Sequence, residues 1–439
     1  MTRDLSWGRY PEVTQSLYTL RWQDDTWPSL AQSSLLAHGQ GRSYGDVALN
    51  DAGVLLMTGA MDRFIAFDRE AGILRCEAGV TLAAILNLIV PHGWFLPVTP
   101  GTKFVSVGGA VANDVHGKNH HQAGTFGCYV TQLGLRRSDE SLLICSAEQN
   151  AELFDATIGG LGLTGLIVWV EFRLKKINGP FIEQETERFA NLEQFFALSE
   201  AAAAEWEYTV AWVDCLAKGA QLGRGLFFRG NHATTTKTTS TAADYGRTRL
   251  NMPFTFPGFV LNHSSINLFN QVFYHRPRRV RARVHFDPFF YPLDKIANWN
   301  RMYGKRGFFQ YQCVIPGERA QAAMTNMLQT IAQSGQGSFL SVLKVFGDIA
   351  SPGMLSFPRP GVTLALDFAN RGDKTRALLA RLDEITASEG GAVYPAKDAC
   401  MSASHFQQYY PQWQQFAQYI DPAFSSSFWR RVTQQGKTA

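Results

Sequence analysis

Short apolar runs separated by glycine and aspartate turns characterise residues 34–175. Runs of this kind predict strands, here Val54–Met57, Ile73–Cys76 and Leu142–Cys145. Thr81–Val90 instead has apolar residues at helical spacing, with Thr81 suited to cap the N-terminus. Residues 159–177 begin as a glycine turn and continue as an alternating strand. The N-terminal region is therefore predicted to consist mainly of β-strands.

Residues 181–390 mix helical and strand patterns, which predicts an α+β arrangement. The predicted helices are Leu192–Glu205, Arg319–Ser334 and Thr375–Glu389, and the predicted strands are Tyr208–Val213, Phe308–Val314 and Thr363–Phe368. A chain of 439 residues is too long for one ordinary hydrophobic core, and Gly179-Pro180 is a natural break. We predict two domains, residues 1–180 and residues 181–390.

A polar, threonine-rich segment interrupts the second domain, and we predict a mobile surface loop over residues 232–256. The apolar stretch Phe254–Leu261 follows, and then a basic run. The arginines of this run are Arg276, Arg278, Arg279, Arg281 and Arg283. Two interpretations stay open: a lid beside a solvated charged strand, or an entrance where an anionic lipid is met at a membrane surface.

Composition describes a folded protein, with 45% hydrophobic and 18% charged residues. A net charge of +4 and the absence of nucleic-acid-binding signatures argue against nucleic acid as the main partner. The six cysteines contain no CxxC pair, which favours reduced thiols over disulfides or a metal site. The N-terminus lacks an apolar signal core, and no window has about 18 uninterrupted apolar residues. We expect a cytoplasmic protein, either free or peripheral at the inner membrane face.

Two glycine-rich loops carry most of the functional information. The first is HGQGRSYGD (38–46), and the second is PGTKFVSVGGAVANDVHGKNHHQAGTFG (100–127). Glycine lets the backbone approach a ligand and direct its N–H groups at it, while histidine and lysine supply protons and positive charge. The two loops together predict a cradle for a large anionic cofactor beside a reactive centre.

These loops resemble the FAD-binding (PCMH-type) domain of the vanillyl-alcohol oxidase group of flavoproteins. Within that group the chain is most similar to the decaprenylphosphoryl-β-D-ribose 2′-oxidases. Further motifs recur in family order: GLTGLIVW (162–169), FYPLD (290–294), GFFQYQCVIP (307–316), SFLSVLKVFG (338–347), LSFPRPGVTLALDF (355–368) and VYPAKDA (393–399). The resemblance implies a two-domain fold in which residues 391–439 complete the FAD-binding domain.

The family pattern also implies site residues. Those expected to bind the cofactor are Gly39, Gln40, Gly41, Arg42, Ser43, Tyr44, Gly101, Thr102, Ser106, Gly108, Gly109, Asn113, His116, Gly117, Val168 and Tyr394. Those expected to be catalytic are His116, Lys118 and Lys397, and those expected to contact substrate are Gln312, Lys344 and Lys397. Zinc binding by His116, His120 and His121 is a competing idea that the family pattern disfavours, so no metal is expected.

Three positions differ from close or distant relatives. Arg42 stands where many wider relatives have a histidine bonded to the flavin, so we expect noncovalent FAD. Ala365 replaces a cysteine that reacts with nitroaromatic inhibitors in some family members. Phe290 replaces a family tyrosine before the PLD turn, although Tyr291 is adjacent.

The resemblance implies oxidation of the C2′ hydroxyl of a polyprenyl-phosphoryl ribose, with an NAD(P)H-dependent short-chain reductase as functional partner. Together the two enzymes would form a ribose-to-arabinose epimerase for the cell envelope. Two alternatives remain: an aldonolactone or alditol oxidase acting on a small soluble sugar, and a flavin-binding scaffold without catalytic activity.

Overall fold

The computed structural model describes residues 6–28, 33–234, 250–276 and 281–433. In chain order, the N-terminal strands are β1 (Ser16–Thr19), β2 (Leu35–His38), β3 (Val54–Met57), β4 (Phe64–Asp68), β5 (Ile73–Glu77), β6 (Trp94–Phe95), β7 (Val130–Arg136), β8 (Leu142–Cys145), β9 (Leu166–Arg173) and β10 (Lys175–Lys176). A parallel sheet has the order β1-β3-β2, an antiparallel sheet has the order β4-β5-β9-β7-β8, and β6 pairs with β10.

Later strands form a larger antiparallel sheet. They are β11 (Phe181–Phe189), β12 (Tyr208–Val213), β13 (Gly225–His232), β14 (Leu250–Asn251), β15 (Arg281–His285), β16 (Ile296–Ala297), β17 (Phe308–Ile315), β18 (Ser341–Phe346), β19 (Gly361–Ala369) and β20 (Ala392–Val393). Across the described residues, eight of them follow the order β15-β11-β13-β12-β18-β19-β17-β20, and β14 pairs separately with β16. The strand β17, which pairs with β19 on one side and with the short edge strand β20 on the other, is buried along its whole length.

The α-helices are α1 (Leu82–Ile89), α2 (Val107–Ala112), α3 (His120–Ala123), α4 (Ala151–Thr157), α5 (Leu192–Ala202), α6 (His263–His275), α7 (Phe286–Phe290), α8 (Gly317–Ser334), α9 (Asp373–Ser388), α10 (Ala403–Tyr409), α11 (Trp413–Ala417) and α12 (Ser427–Thr433). Short 3₁₀ helices occupy Val90–His92, Phe126–Tyr129, Gly219–Gln221, Pro292–Lys295 and Trp299–Tyr303. Helix α1 shows how local sequence sets a helix. The Thr81 hydroxyl caps its N-terminus by accepting a hydrogen bond from the Ala84 N–H at 3.2 Å. Its buried residues, which lie on one face, are Leu82, Ile85, Leu86 and Ile89.

The mixture of helices and strands agrees with the α+β prediction, and each strand and helix predicted above is present with shifts of a few residues at its ends. Helix α5, for example, ends at Ala202 rather than Glu205. The N-terminal sheets use strands up to Lys176, and the eight-stranded sheet starts at Phe181. The division into two domains nevertheless stays a prediction, because the largest buried cluster takes side chains from both segments.

Strands occupy two parts of the predicted loop 232–256: His232 closes β13, and Leu250–Asn251 forms β14. Its residues 235–249 lie outside the described residues, as do Arg278 and Arg279 of the basic run. Arg281 forms an ion pair with Glu185, and Arg283 lies 3.7 Å from Glu183. Part of the positive charge on this edge strand is therefore neutralised within the sheet.

Candidate active site

A cavity of about 1020 Å³ lies between the two glycine-rich loops and one face of the eight-stranded sheet. The predicted site residues that line it are Gly39, Gln40, Gly41, Arg42, Ser43, Tyr44, Gly101, Thr102, Ser106, Gly108, Gly109, Asn113, His116, Gly117, Lys118, Gln312, Lys344, Tyr394 and Lys397. Its volume is at the upper end of small-molecule sites, large enough for a dinucleotide together with part of a substrate. The fold thus brings together residues spread over more than three hundred positions of sequence.

Val168 is the predicted site residue that the structure does not place in the cavity wall. It is fully buried and packs in a cluster with Leu35, Leu56 and Leu166. Its neighbour Ile167 lines the cavity instead. The reason is the period of a strand, in which successive side chains point to opposite faces.

Glycine at two positions lets the second loop pack closely, once against the first loop and once against the residues that follow β5. A Cβ on Gly39 would collide with the Ser106 hydroxyl, and one on Gly108 would lie 2.8 Å from Cβ of Ala78. The Ser106 hydroxyl accepts from the Gly109 N–H at 3.3 Å and so orders the start of α2. Near the end of α2, Oδ1 of Asn113 is buried without a hydrogen-bond partner in the described structure. The first loop therefore packs tightly against the start of α2, and Asn113 at the end of α2 supplies an acceptor that is unpaired in the described structure.

The C-terminal segment holds the first loop in place through a backbone hydrogen bond and ion pairs. The Tyr44 N–H donates to the Ala396 carbonyl at 2.9 Å. Arg431 of α12 lies 2.7 Å from a carboxylate oxygen of Asp46 and 2.9 Å from one of Asp398. These contacts hold the GRSYGD and YPAKDA segments together and place Lys397 in the cavity wall.

His116 is held on both sides of its ring. Lys344 Nζ lies 2.9 Å from Nδ1, and the Gln312 side-chain amide lies 2.9 Å from Nε2. Burial, reinforced by the charge of Lys344, keeps the pKa of His116 well below its usual value. The Gln312 atom at Nε2 is its amide nitrogen. A neutral imidazole has one lone pair and one N–H, so His116 accepts a hydrogen bond from only one of these two nitrogen donors at a time.

Lys118 and Lys344 are two cavity lysines without an acidic partner among the described residues. Lys118 donates to the Phe289 carbonyl, with its Nζ 4.4 Å from the centre of the Phe289 ring. Lys344 also donates to the Gly117 carbonyl at 3.2 Å. Burial lowers the pKa of Lys118 to about 7 and, helped by repulsion from Lys118 and Lys397, that of Lys344 to about 7. Positive charge at these positions is costly until an anion arrives.

Lys397 has a carboxylate neighbour that the sequence did not suggest as a site residue. Its Nζ lies 4.1 Å from the centre of the Tyr44 ring. Burial lowers the pKa of Lys397, whereas the negative charge of Asp367 opposes that shift. Burial raises the pKa of Asp367, which accepts a hydrogen bond from the Gln310 side chain. One sequence signal could have revealed this polar face, because side chains two residues apart in a strand point to the same side. These positions are Gln310 and Gln312 in β17, and Ala365 and Asp367 in β19.

The same sheet face becomes apolar away from these residues. Directly paired positions form a row from Gln312 through Ala365 and Val342 to Trp212, and all four line the cavity. Paired residues of antiparallel strands point to the same side of the sheet, so the four side chains lie side by side and change from the polar amide of Gln312 to the aromatic indole of Trp212. Phe269 and Phe273 of α6 also line this part of the cavity. The aromatic branch, defined as Trp212, Phe228, Phe269, Phe273 and Phe339, was not predicted from the sequence.

The remaining predicted features have clear locations. Tyr394 donates to the Asn113 carbonyl at 2.7 Å and stacks on Phe357. Phe290 lines the cavity, while the hydroxyl of the fully buried Tyr291 lies 2.6 Å from that of Thr99. Phe290 therefore lies in the cavity wall, whereas Tyr291 does not line it, and which of the two corresponds to the family tyrosine stays a prediction.

His120 and His121 make separate contacts away from His116. Nδ1 of His120 accepts from the Gly347 N–H at 3.2 Å, and Nε2 of His121 lies 3.0 Å from the Trp206 carbonyl. In the part of the chain that the structure describes, no group of three or more histidine, cysteine or carboxylate side chains could hold a metal ion. Nor does any described helix combine the length and apolar character needed to cross a membrane.

Comparison with known proteins agrees with this geometry. A family model described as an FAD binding domain matches residues 29–146. The decaprenylphosphoryl-β-D-ribose oxidase of Mycolicibacterium smegmatis is 33% identical over 411 residues, covering 91% of this chain and 89% of the relative. The chain belongs to the decaprenylphosphoryl-β-D-ribose oxidase family. An uncharacterized protein of Streptomyces coelicolor is 30% identical over 80% of this chain, whereas the L-gulonolactone oxidase of Mus musculus matches only 38% of it, also at 30% identity.

Membership of this family makes the protein an FAD-dependent oxidoreductase. The site fits the cofactor, because Gly41, Arg42 and Ser43 line the cavity and their backbone N–H groups, which donate no hydrogen bond in the described structure, are available to a pyrophosphate. Oδ1 of Asn113, also unpaired among the described residues, offers an acceptor in the same wall. The predicted family and cofactor are therefore confirmed. The individual roles assigned to the site residues stay predictions.

Proposed function

We propose that this protein oxidises the C2′ hydroxyl of a polyprenyl-phosphoryl-β-D-ribose-like sugar to a ketone. The observation that carries the proposal is the presence, in one cavity, of an aromatic branch and of two lysines that have no acidic partner among the described residues. A lipid-linked sugar phosphate needs both features. A neutral lactone or alditol needs neither.

The phosphate is assigned to Lys118 and Lys344. Both ammonium groups stand in the cavity wall and donate only to neutral acceptors in the described structure, namely the Phe289 and Gly117 carbonyls and His116. Burial disfavours the charged form of both lysines, and an anionic phosphate beside them would stabilise that form. The pentose then lies against Gln312, and the first isoprene units against Trp212, Phe269 and Phe273.

We assign to Lys397 the role of accepting the proton of the substrate C2′ hydroxyl. Its lowered pKa makes a neutral amine accessible near neutral pH, and Asp367 stabilises the ammonium that forms when the proton arrives. His116, with both ring nitrogens engaged, orients Gln312 instead of accepting the proton. FAD, when bound, supplies the hydride acceptor for the oxidation.

Flavin bleaching under anaerobic conditions tests the substrate class. Farnesylphosphoryl-β-D-ribose should reduce the enzyme flavin much faster than ribose, xylitol or L-gulonolactone. Equal or faster bleaching by a soluble sugar would favour the alditol or lactone oxidase. Bound flavin that none of these compounds bleaches would favour the scaffold.

The ketone product also defines the partner reaction. Reduction from the opposite face by a separate NAD(P)H-dependent short-chain reductase would give the arabinose epimer. Such a reductase, added to the oxidase and substrate, should yield the arabinose product by chromatography. An unchanged ketone in the presence of several such reductases would argue against this coupling.

Access to a lipid substrate calls for peripheral membrane contact, which we assign to the outer face of α6. Leu268 and Val272 are 66% and 60% exposed there, while Phe269 of the same helix lines the cavity. Phe254 and Phe259 are also strongly exposed. The wild-type protein should sediment with anionic vesicles, and Leu268→Ser with Val272→Ser should weaken this. Leu142→Ser, at an exposed leucine of β8, is the matched control, and equal sedimentation of all variants would contradict the assignment.

A further inference from the structure

His38 is a buried polar side chain in the cavity wall with no hydrogen-bond partner. It ends β2, is only 2% exposed, and neither ring nitrogen is satisfied within the described structure. Its backbone is fixed, because the N–H and hydroxyl of Thr58 donate to the His38 carbonyl at 3.0 and 3.2 Å. Buried polar groups are nearly always paired, so an orphaned imidazole at a cavity points to a ligand atom.

The surroundings of His38 are neutral. Strand alternation places its side chain on the same side as Leu36, which packs with Val47 and Leu161. Val47, Leu161 and Gly162 line the cavity with His38. Burial lowers the pKa of His38 to about 4. His38 is therefore an uncharged ring with one N–H and one lone pair.

These properties select one part of the cofactor. His116, Gln312 and the lysines surround the end of the cavity where substrate must meet the flavin ring, and the glycine-rich backbone suits the pyrophosphate. The adenosine half is neutral, flat and carries both donors and acceptors on its edges. We propose that His38 binds the adenosine half of FAD through its two ring nitrogens and thereby contributes to dinucleotide affinity. No step of substrate oxidation depends on it.

Titration of the apoprotein with FAD, followed by flavin fluorescence, tests the proposal without substrate. His38→Leu should raise the dissociation constant for FAD about tenfold, as expected for a lost hydrogen-bond partner. His38→Gln, which keeps a donor and an acceptor, should recover part of that loss. His232→Leu is the matched control, since both nitrogens of His232 are also buried without partners but the residue does not line the cavity.

The absorption spectrum of the FAD-saturated variants locates the contact. A wild-type flavin spectrum with weakened affinity supports binding at the adenosine half. Wild-type affinity in His38→Leu would overturn the proposal, and so would a changed flavin spectrum, because it would place His38 against the ring. If His38→Leu does not fold, as judged by thermal unfolding of the apoprotein, His38→Gln is compared with wild type instead. A Gln variant that folds but loses more affinity for FAD than the His232→Leu control supports the contact, and a Gln variant with wild-type affinity contradicts it.

Discussion

Lys344 Nζ lies 2.9 Å from Nδ1 of His116, joining β18 to the second glycine-rich loop. The contact gives Lys344 two separable tasks, because it both orients the imidazole and places positive charge in the cavity. An orienting task requires a hydrogen-bond donor, whereas a phosphate-binding task requires charge.

Substitution of Lys344 can separate these tasks. Lys344→Gln keeps a donor without charge, and Lys344→Met removes both. If charge matters, both variants should raise KM for farnesylphosphoryl-β-D-ribose by about tenfold, as expected for a lost charged hydrogen bond. Steady-state kinetics with the two variants provides the measurement. A wild-type KM for Lys344→Gln would show that Lys344 acts by positioning His116.

Affinity for an anionic ligand should fall as pH rises. Lys118 and Lys344 both have a pKa lowered to about 7, so below pH 7 they are already protonated and binding requires no proton uptake. Above pH 7 the empty site loses protons that an anion would have to restore. The phosphodiester of farnesylphosphoryl-β-D-ribose keeps one negative charge, so its dissociation constant should rise between pH 6 and 9. Calorimetry in two buffers of different ionisation enthalpy should show that protons are taken up on binding. A Lys118→Met, Lys344→Met protein should lose this dependence, and tighter binding at high pH in wild type would contradict the assignment.

Lys397 and Asp367 should act on flavin reduction instead of FAD binding. Lys397→Met should bind FAD but reduce it about 100-fold more slowly or worse, since a group used in the transition state is lost. Asp367→Asn removes the negative charge that opposes the fall in the pKa of Lys397, so its rate–pH profile should shift to lower pH. Stopped-flow bleaching across pH measures both effects. Near-normal bleaching by Lys397→Met, or an unshifted profile for Asp367→Asn, would remove the pair from the mechanism.

The bound FAD should be noncovalent. Arg42, in the position where wider relatives carry a linking histidine, donates to the Gln40 carbonyl at 2.9 Å and lies over the Trp7 ring. Arginine forms no bond to the flavin methyl group, so acid precipitation should leave the yellow colour in the supernatant. Flavin that stays with the precipitated polypeptide would disprove this prediction.

Ala365 should control reaction with nitroaromatic inhibitors. It lines the cavity between Gln312 and Val342, whereas Cys313 is fully buried, and neither Cys313 nor Cys400 lines the cavity. After turnover with such an inhibitor, intact-mass spectrometry should find no adduct on the wild-type chain and one adduct on Ala365→Cys. An adduct on the wild type would mean that a native thiol becomes reachable during turnover.

Local sequence patterns were enough to predict the α+β class, several of the strands, four of the helices, and the two glycine-rich loops that line the cavity. The reason is that glycine spacing, capping and periodicity act over a few residues, as at Thr81 and Gly39. Motif resemblance added the family and the identity of Lys397, which spacing alone would not distinguish from a surface lysine.

Only the tertiary structure decided what surrounds these residues. Strand register and the long-range closure of the sheet over the loops decided three features. They are the influence of the Asp367 charge on the pKa of Lys397, the row from Gln312 to Trp212, and the side chain of His38, which is unpaired in the described structure. Val168 shows the effect of register at one position. Its side chain packs in the core, whereas the side chain of Ile167, one residue earlier in β9, lines the cavity. A motif determines which residues are near the site, whereas register determines which side of the strand faces the ligand.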